Sequence, residues 1–390
     1  MAYPATWPGS GPWVASSRVL FVLVCLWAAI VVPLWWWGVL SPRPPGWHAH
    51  EMMFAIGGGA LAAYVPTACN SWTGRPPVAG WPVAVLAVLY VSARTVMLLP
   101  TESLPRLLVG VALVAPFWWI TGVVLREMRR AGKSVAAAVF PYSVLAFCAL
   151  AGAAAGWFGS GIMTGSPHRA APQALVGMFA LLLAGVGGRM VPAFLNAAAT
   201  RVGLPVRTGH RFARLPFLLA LALAVISAGT SASAVFTVLG GVLLAVHMAG
   251  WPWRYLRYDG LAALTALAYA WLPLGLIVWG GLRWSGTHLS LGMVAASHLI
   301  TMGALTGLVV AVMARTSARR GDRRLIVRRT TLAGFVLLMS AVPIRLLEWD
   351  TAAVVMWSLG WCLVLLGHRH HLTGPLIRPV FSARRGVPSA

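Results

Sequence analysis

The sequence has 390 residues, of which 59% are hydrophobic and only 9% charged, with a mean hydropathy of +0.80. A soluble globular chain carries about 25% charged residues, so a cytosolic domain, a disordered tail and a disulfide scaffold are excluded. The 30 Lys and Arg against 7 acids give a net charge of +23, which in a membrane chain records topology and not a nucleic-acid partner.

A spanning helix needs about 20 apolar residues. Breaking the chain at charges, Pro/Gly clusters and Trp-rich edges predicts an all-α polytopic transmembrane bundle of about twelve spans in one integral membrane domain, 1–390. The spans are 19–40, 47–69, 80–99, 107–125, 135–158, 172–196, 213–229, 231–249, 260–282, 288–313, 330–348 and 351–367. The first is too long for a signal-peptide core and lacks a small-residue cleavage site. The seventh and eighth are separated only by the small residues Ser227–Ser233 and read equally as one broken hairpin.

Basic residues cluster in alternate connections. Arg126, Arg129, Arg130 and Lys133 follow span 4, and Arg201, Arg207, Arg211 and Arg214 follow span 6. Arg254 and Arg257 follow span 8, and Arg315, Arg319, Arg320, Arg323, Arg324, Arg328 and Arg329 follow span 10. The tail holds Arg369, Arg378, Arg384 and Arg385, while the other connections hold only Arg43, Arg106, Arg169 and Arg283. The positive-inside rule then puts both termini in the cytoplasm, and an eleven-span count would strand the tail on the wrong side. Glu51, Glu102, Glu348 and Asp350 fall at the outer face, whereas Glu127, Asp259 and Asp322 sit among the inner basic clusters. Cys25, Cys69, Cys148 and Cys362 all lie in or beside apolar runs without a CxxC pair, which predicts buried free thiols.

Polar residues inside the apolar runs carry the site hypotheses. Arg94 and Arg345 lie toward the outer ends of their spans, where snorkelling or a structural ion pair competes with a functional role. Arg189 lies nearer the inner end of span 6, flanked by Gly187, Gly188 and Pro192, which predicts a broken backbone and a functional arginine able to meet a carboxylate or propionate bidentately. The sharpest local feature is Trp47-His48-Ala49-His50-Glu51-Met52-Met53 at the outer start of span 2. It reads as a metal-ligand set of His48, His50, Glu51 and Met53, or as an interfacial polar cap with a belt tryptophan. On a regular helix His48 and His50 point about 200° apart, so separate ligation is easier than a shared ion. His298 is the one histidine deep in an apolar run, about 15 Å along the helix from His288. It is either hydrogen-bonded to a neighbouring helix or a haem axial ligand. His247 reads as structural, His168 and His210 as loop residues, and His368, His370 and His371 as a cytoplasmic basic cluster near lipid headgroups.

The stretch Trp47–Pro77 resembles the NnrS family of polytopic membrane proteins. Gly187–Phe194 (GGRMVPAF), Tyr269–Leu276 (YAWLPLGL), His298–Ser317 (HLITMGALTGLVVAVMARTS) and the run ending in Pro343-Ile344-Arg345 agree in the same order. The resemblance implies a multi-pass protein of the bacterial cytoplasmic membrane that binds haem and copper and is linked to nitric oxide metabolism and nitrosative stress. It supplies no reaction. The residues it carries over are His48, His50, Glu51, Arg189, His298 and Arg315. The chain departs from the family pattern at Thr265–Ala268 and Arg319–Asp322, where histidines are expected, and at Ala55-Ile56.

Two functions follow as expectations. One is a haem/copper redox or sensor protein, with copper at the outer histidines, His298 as a haem ligand, Arg94, Arg189 and Arg345 near cofactor carboxylates, and nitric oxide or a related small molecule arriving through the lipid bilayer. The other is a transporter or channel-like protein for a small anion or metal chelate, using those arginines and broken helices at Gly57–Gly59 with Pro66 and at Gly187-Gly188 with Pro192. A haem–copper oxidase is excluded, because no adjacent histidines occur within any span.

Overall fold

The computed structural model describes residues 6–7, 10–40, 43–100, 103–165, 171–201, 203–205, 213–286, 290–321, 324–374 and 376–377. Glu102, His168, Arg169, Arg207, His210, Arg211, His288, Asp322, Arg323, Arg378, Arg384 and Arg385 lie outside these residues.

Each apolar run forms a helix. They are α1 (Ser16–Trp36), α2 (Trp47–Thr73), α3 (Trp81–Leu98), α4 (Arg106–Arg130), α5 (Val139–Met163), α6 (Ala171–Arg201), α7 (Leu215–Ile226), α8 (Ser231–Ala249), α9 (Gly260–Trp284), α10, α11 (Arg329–Leu346) and α12 (Asp350–His368). Helix α10 is continuous through Ser290–His298, Leu299–Thr306 and Gly307–Ser317. Eleven of these are long and apolar enough to cross a membrane; α7 is the short one. Large apolar side chains such as Leu107, Leu150, Ile226 and Val246 remain uncovered by the chain, as lipid-facing positions require.

Two short ladders accompany the bundle: β1 (Thr6–Trp7) with β4 (Leu376–Ile377), and β2 (Arg319–Gly321) with β3 (Arg324–Ile326), both antiparallel. Thr6 pairs with Ile377 and Trp7 with Leu376, so the two ends lie side by side. The short α7 forms a hairpin with α8 through Ser227–Thr230.

Contacts divide the chain into two compact units. Unit 1 comprises 1–169, 315–318 and 365–390; unit 2 comprises 170–314 and 319–364. In unit 1, α1 packs on α2, and α4 lies against α2, α3 and α5. Close approach is bought with glycine: a Cβ at Gly58 would lie 2.5 Å from the Phe117 ring, and one at Gly156 would lie 2.9 Å from the Gly110 carbonyl. Arg18, within α1 and 1% exposed, donates to the carbonyls of Gly11 (2.8 Å), Leu372 (3.4 Å) and Gly374 (2.9 Å). It thereby fastens the N- and C-terminal segments together. His368 and His371 join this clasp, with His368 Nε2 donating to the Ser17 carbonyl (3.1 Å) and His371 Nε2 lying 3.3 Å from Ser17 Oγ. The expectation that they face lipid headgroups is therefore corrected: both are buried, and only His370 and Arg369 point outward. Cys25, Cys69 and Cys148 are buried free thiols as expected, but Cys362 is exposed on the outer face of α12.

In unit 2, α9 packs on α8 and on α10, and α6 packs on α7 and α9. Gly240 and Gly241 of α8, Gly275 of α9 and Gly303 of α10 lie directly under Leu221, Ile277, Ile300 and Trp271 respectively. The expected helix breaks do not form. Helix α6 runs unbroken through Pro192, and α2 runs unbroken through Gly57–Gly59 and Pro66. The glycines are spent on packing instead, and proline is tolerated in a spanning helix when neighbours re-satisfy the freed backbone.

Candidate functional site

Two motif histidines, one in each unit, stand at the entrance to a local change of helix geometry. Helix α2 begins as regular helix at Trp47–His50 and switches to π geometry over Glu51–Gly57. Helix α10 makes the same switch immediately after His298, over Leu299–Thr306. A π segment shifts the carbonyl register and frees acceptors, and such segments concentrate at functional sites. In α2 the Tyr90 hydroxyl donates to the Ala55 carbonyl (2.9 Å), and in α10 Thr306 Oγ1 donates to the carbonyl five residues back at Thr301 (3.1 Å).

In unit 1 the π segment aims Glu51 into the protein, where it is fully buried. Arg94 of α3, 4% exposed, donates to Glu51 Oε1 at 2.6 Å, and His50 Nδ1 lies 3.1 Å from the same oxygen. The other ring nitrogen of His50 lies 3.2 Å from the Ala155 carbonyl of α5. Gly159 makes the space, since a Cβ there would lie 2.7 Å from His50 Nε2. Both His50 nitrogens therefore face oxygen acceptors. Glu51 Oε2 and Arg94 Nε are buried and meet no described hydrogen-bond partner. Trp47 is not a belt residue: it is 1% exposed, its indole donates to the Met97 carbonyl (2.7 Å), and Arg43 lies over its ring at 5.5 Å.

The ligand-rich set of Trp47–Met53 is not assembled around one point. His48 stacks on Trp35 at 4.2 Å and 16°, whereas His50 packs against Phe54 and Phe158. Helix is already formed at Trp47, so the two rings diverge. Met53 is buried within the π segment. Among the described residues no group of three or more His, Cys, Asp or Glu is placed to hold a metal ion.

In unit 2, His298 is half-buried, and its Nδ1–H donates to the Val294 carbonyl one turn back at 2.7 Å. That bond makes Nδ1 the donor, so in the neutral ring the lone pair is on Nε2. Arg345 of α11 forms an ion pair with Asp350 of α12 at 2.8 Å, both half-exposed. The turn between them is sharp because Glu348 adopts a left-handed backbone, φ 61°. Arg189 is on the uncovered face of α6, away from the core positions Gly187 and Gly188. Those glycines instead receive Tyr269 of α9, whose hydroxyl donates to the Ala184 carbonyl (3.0 Å). Two of the sequence motifs thus meet as a packing pair. Arg315 is 3% exposed at the end of α10.

A family model described as "NnrS protein" matches residues 13–378, nearly the whole chain. The chain belongs to the NnrS family. No curated protein matches this NnrS-family chain. Sequence reasoning missed Tyr90 and the α5 wall of Ala155 and Gly159 around His50, because none of them sits in a ligand-like motif, and it named Asp350 without pairing it to Arg345.

Proposed function

We propose that this NnrS-family chain is a haem-binding, multi-pass protein of the bacterial cytoplasmic membrane, with both termini in the cytoplasm, that acts in the response to nitric oxide. The observation that carries the haem reading is the tautomer of His298. Ligating histidines commonly donate the opposite N–H to a carbonyl or carboxylate, and the Nδ1–H of His298 does so to Val294. No described residue meets its Nε2, and the ring is only half covered. Arg345, one element away, is a fork-shaped donor suited to a propionate, for which it would leave or share Asp350. Bound there, haem would supply an iron centre able to take a small uncharged gas ligand.

The copper expectation fares differently. Glu51 is already neutralised by Arg94, both His50 nitrogens face acceptors, and His48 lies on a different side against Trp35. These residues as arranged do not fit a resident copper ion. The helix breaks that supported a transporter are absent from α2 and α6.

The test is an optical spectrum of the full-length protein purified after haem-supplemented expression. A Soret band that shifts on adding nitric oxide, and that is lost in His298→Ala while retained in His50→Ala, is the expected result. A wild-type protein without haem, or a His298→Ala spectrum identical to wild type, overturns the reading.

A further inference from the structure

Unit 2 holds a second polar constellation, at the end that carries the α8–α9 connection. Trp251 in that connection is 7% exposed. It stacks on Tyr269 (5.5 Å, 21°) and on Trp253 (5.6 Å, 28°), and meets His247 of α8 edge-on (5.8 Å, 85°). His247 lies 5.3 Å from Phe217 of α7. Phe217, Tyr269 and Arg214 then converge on Gly188 of α6: a Cβ built there would lie 3.4 Å from Phe217 Cζ, 3.3 Å from Tyr269 Oη and 3.9 Å from Arg214 Cδ. The contacts close into a ring of Gly188, Tyr269, Trp251, His247 and Phe217, and Arg214 adjoins it at Gly188.

Most polar groups around this ring are spent. The Tyr269 hydroxyl donates to Ala184, Trp253 Nε1 donates to the Met248 carbonyl (2.7 Å), and Asp259 Oδ1 caps α9 by accepting from Leu261 and Ala262. Two nitrogens are not: Trp251 Nε1 and His247 Nε2 are buried and meet no described hydrogen-bond partner. Native proteins rarely leave buried donors unsatisfied, and a bound group would satisfy these two. An indole N–H only donates, so that group must present an acceptor. The cation beside it, Arg214 next to Gly188, favours a negative charge.

We propose that this ring is a binding site for an oxyanion, held by Trp251 Nε1–H, His247 and Arg214 on an aromatic frame. The oxyanion is either a free inorganic ion or the phosphate of a lipid headgroup. It is separate from His298 and Arg345, and it gives a role to Gly187–Phe194 and Tyr269–Leu276 that the haem reading does not use.

The experiment has two arms on the full-length protein. Inorganic phosphate is titrated into detergent-solubilised protein against chloride at equal ionic strength, reading thermal stability. Separately, native mass spectrometry compares phospholipid retained from phosphatidylglycerol and from phosphatidylcholine bilayers. Saturable stabilisation by phosphate supports the free ion, and selective retention of phosphatidylglycerol supports the headgroup. In either case Trp251→Phe, which keeps the ring and removes the donor, weakens binding by about tenfold or more, and Arg214→Gln does likewise. Neither phosphate stabilisation nor selective lipid retention in the wild type overturns the proposal. So does binding unchanged in a folded Trp251→Phe or Arg214→Gln.

Discussion

Arg94 of α3 donates to Glu51 of α2 at 2.6 Å, with the arginine side chain 5% and the carboxylate 0% exposed. A charge pair so deeply buried is weak evidence for net stability, because desolvation offsets the attraction, but breaking it by removing one partner is costly. The pair fixes α3 against the π segment of α2, next to His50.

Its energetics are testable by a double-mutant cycle. Glu51→Leu or Arg94→Met alone is expected to destabilise the fold by about 3–5 kcal/mol, whereas the two together lose much less than the sum. Unfolding in denaturant, monitored by far-ultraviolet circular dichroism, measures this. Additive losses in the double variant contradict the coupling.

At His298 the neighbours separate two roles. Arg345→Met removes the donor proposed to meet a carboxylate, and its haem retention during dialysis is expected to fall several-fold. Asp350→Asn releases Arg345 from its ion pair and is expected to keep or raise retention. Equal losses in both variants point to a general disturbance of the α11–α12 turn instead.

Gly187 makes a prediction that involves no charge. A Cβ there would overlap the Tyr269 ring, so Gly187→Ala is expected to cost about 1–3 kcal/mol. Tyr269→Phe leaves the ring in place and gives no relief, while Tyr269→Ala in the Gly187→Ala background makes the second loss smaller than it is alone. Strict additivity in that cycle removes the claim that the two motifs pack together.

The clasp at the chain ends predicts a local effect. Arg18→Met removes the donor that holds the carbonyls of Gly11, Leu372 and Gly374. The segment beyond His371 is then expected to become accessible to protease while the helices stay protected. Reporter fusions at the two ends should also read the same side of the membrane; opposite sides are incompatible with β1–β4 pairing.

Twelve helices were legible in the sequence because apolar length is set by bilayer thickness, a one-dimensional constraint. The short α7 was legible as an apolar run before the small residues Ser227–Ser233. The ligand-rich run at Trp47–Met53 was also visible, but its fate was not. A switch to π geometry leaves no periodic signature, and it turned Glu51 toward Arg94 while His48 and His50 went to different neighbours. Gly187-Gly188 and Gly57–Gly59 carried the composition of broken helices, yet became seats for Tyr269, Phe117, Val24 and Tyr90.

The sequence by itself determined that this protein lives in a membrane, where its apolar helices run, and which family it joins, since composition, apolar length and motif order are properties of the chain read along its length. Tertiary structure alone decided which polar atoms remain available. Whether a histidine can take a ligand depends on what meets each of its nitrogens, and those partners come from other helices or from a carbonyl one turn away. By that criterion His50 is closed by Glu51 and Ala155, and His298 is held by Val294 with Nε2 left over.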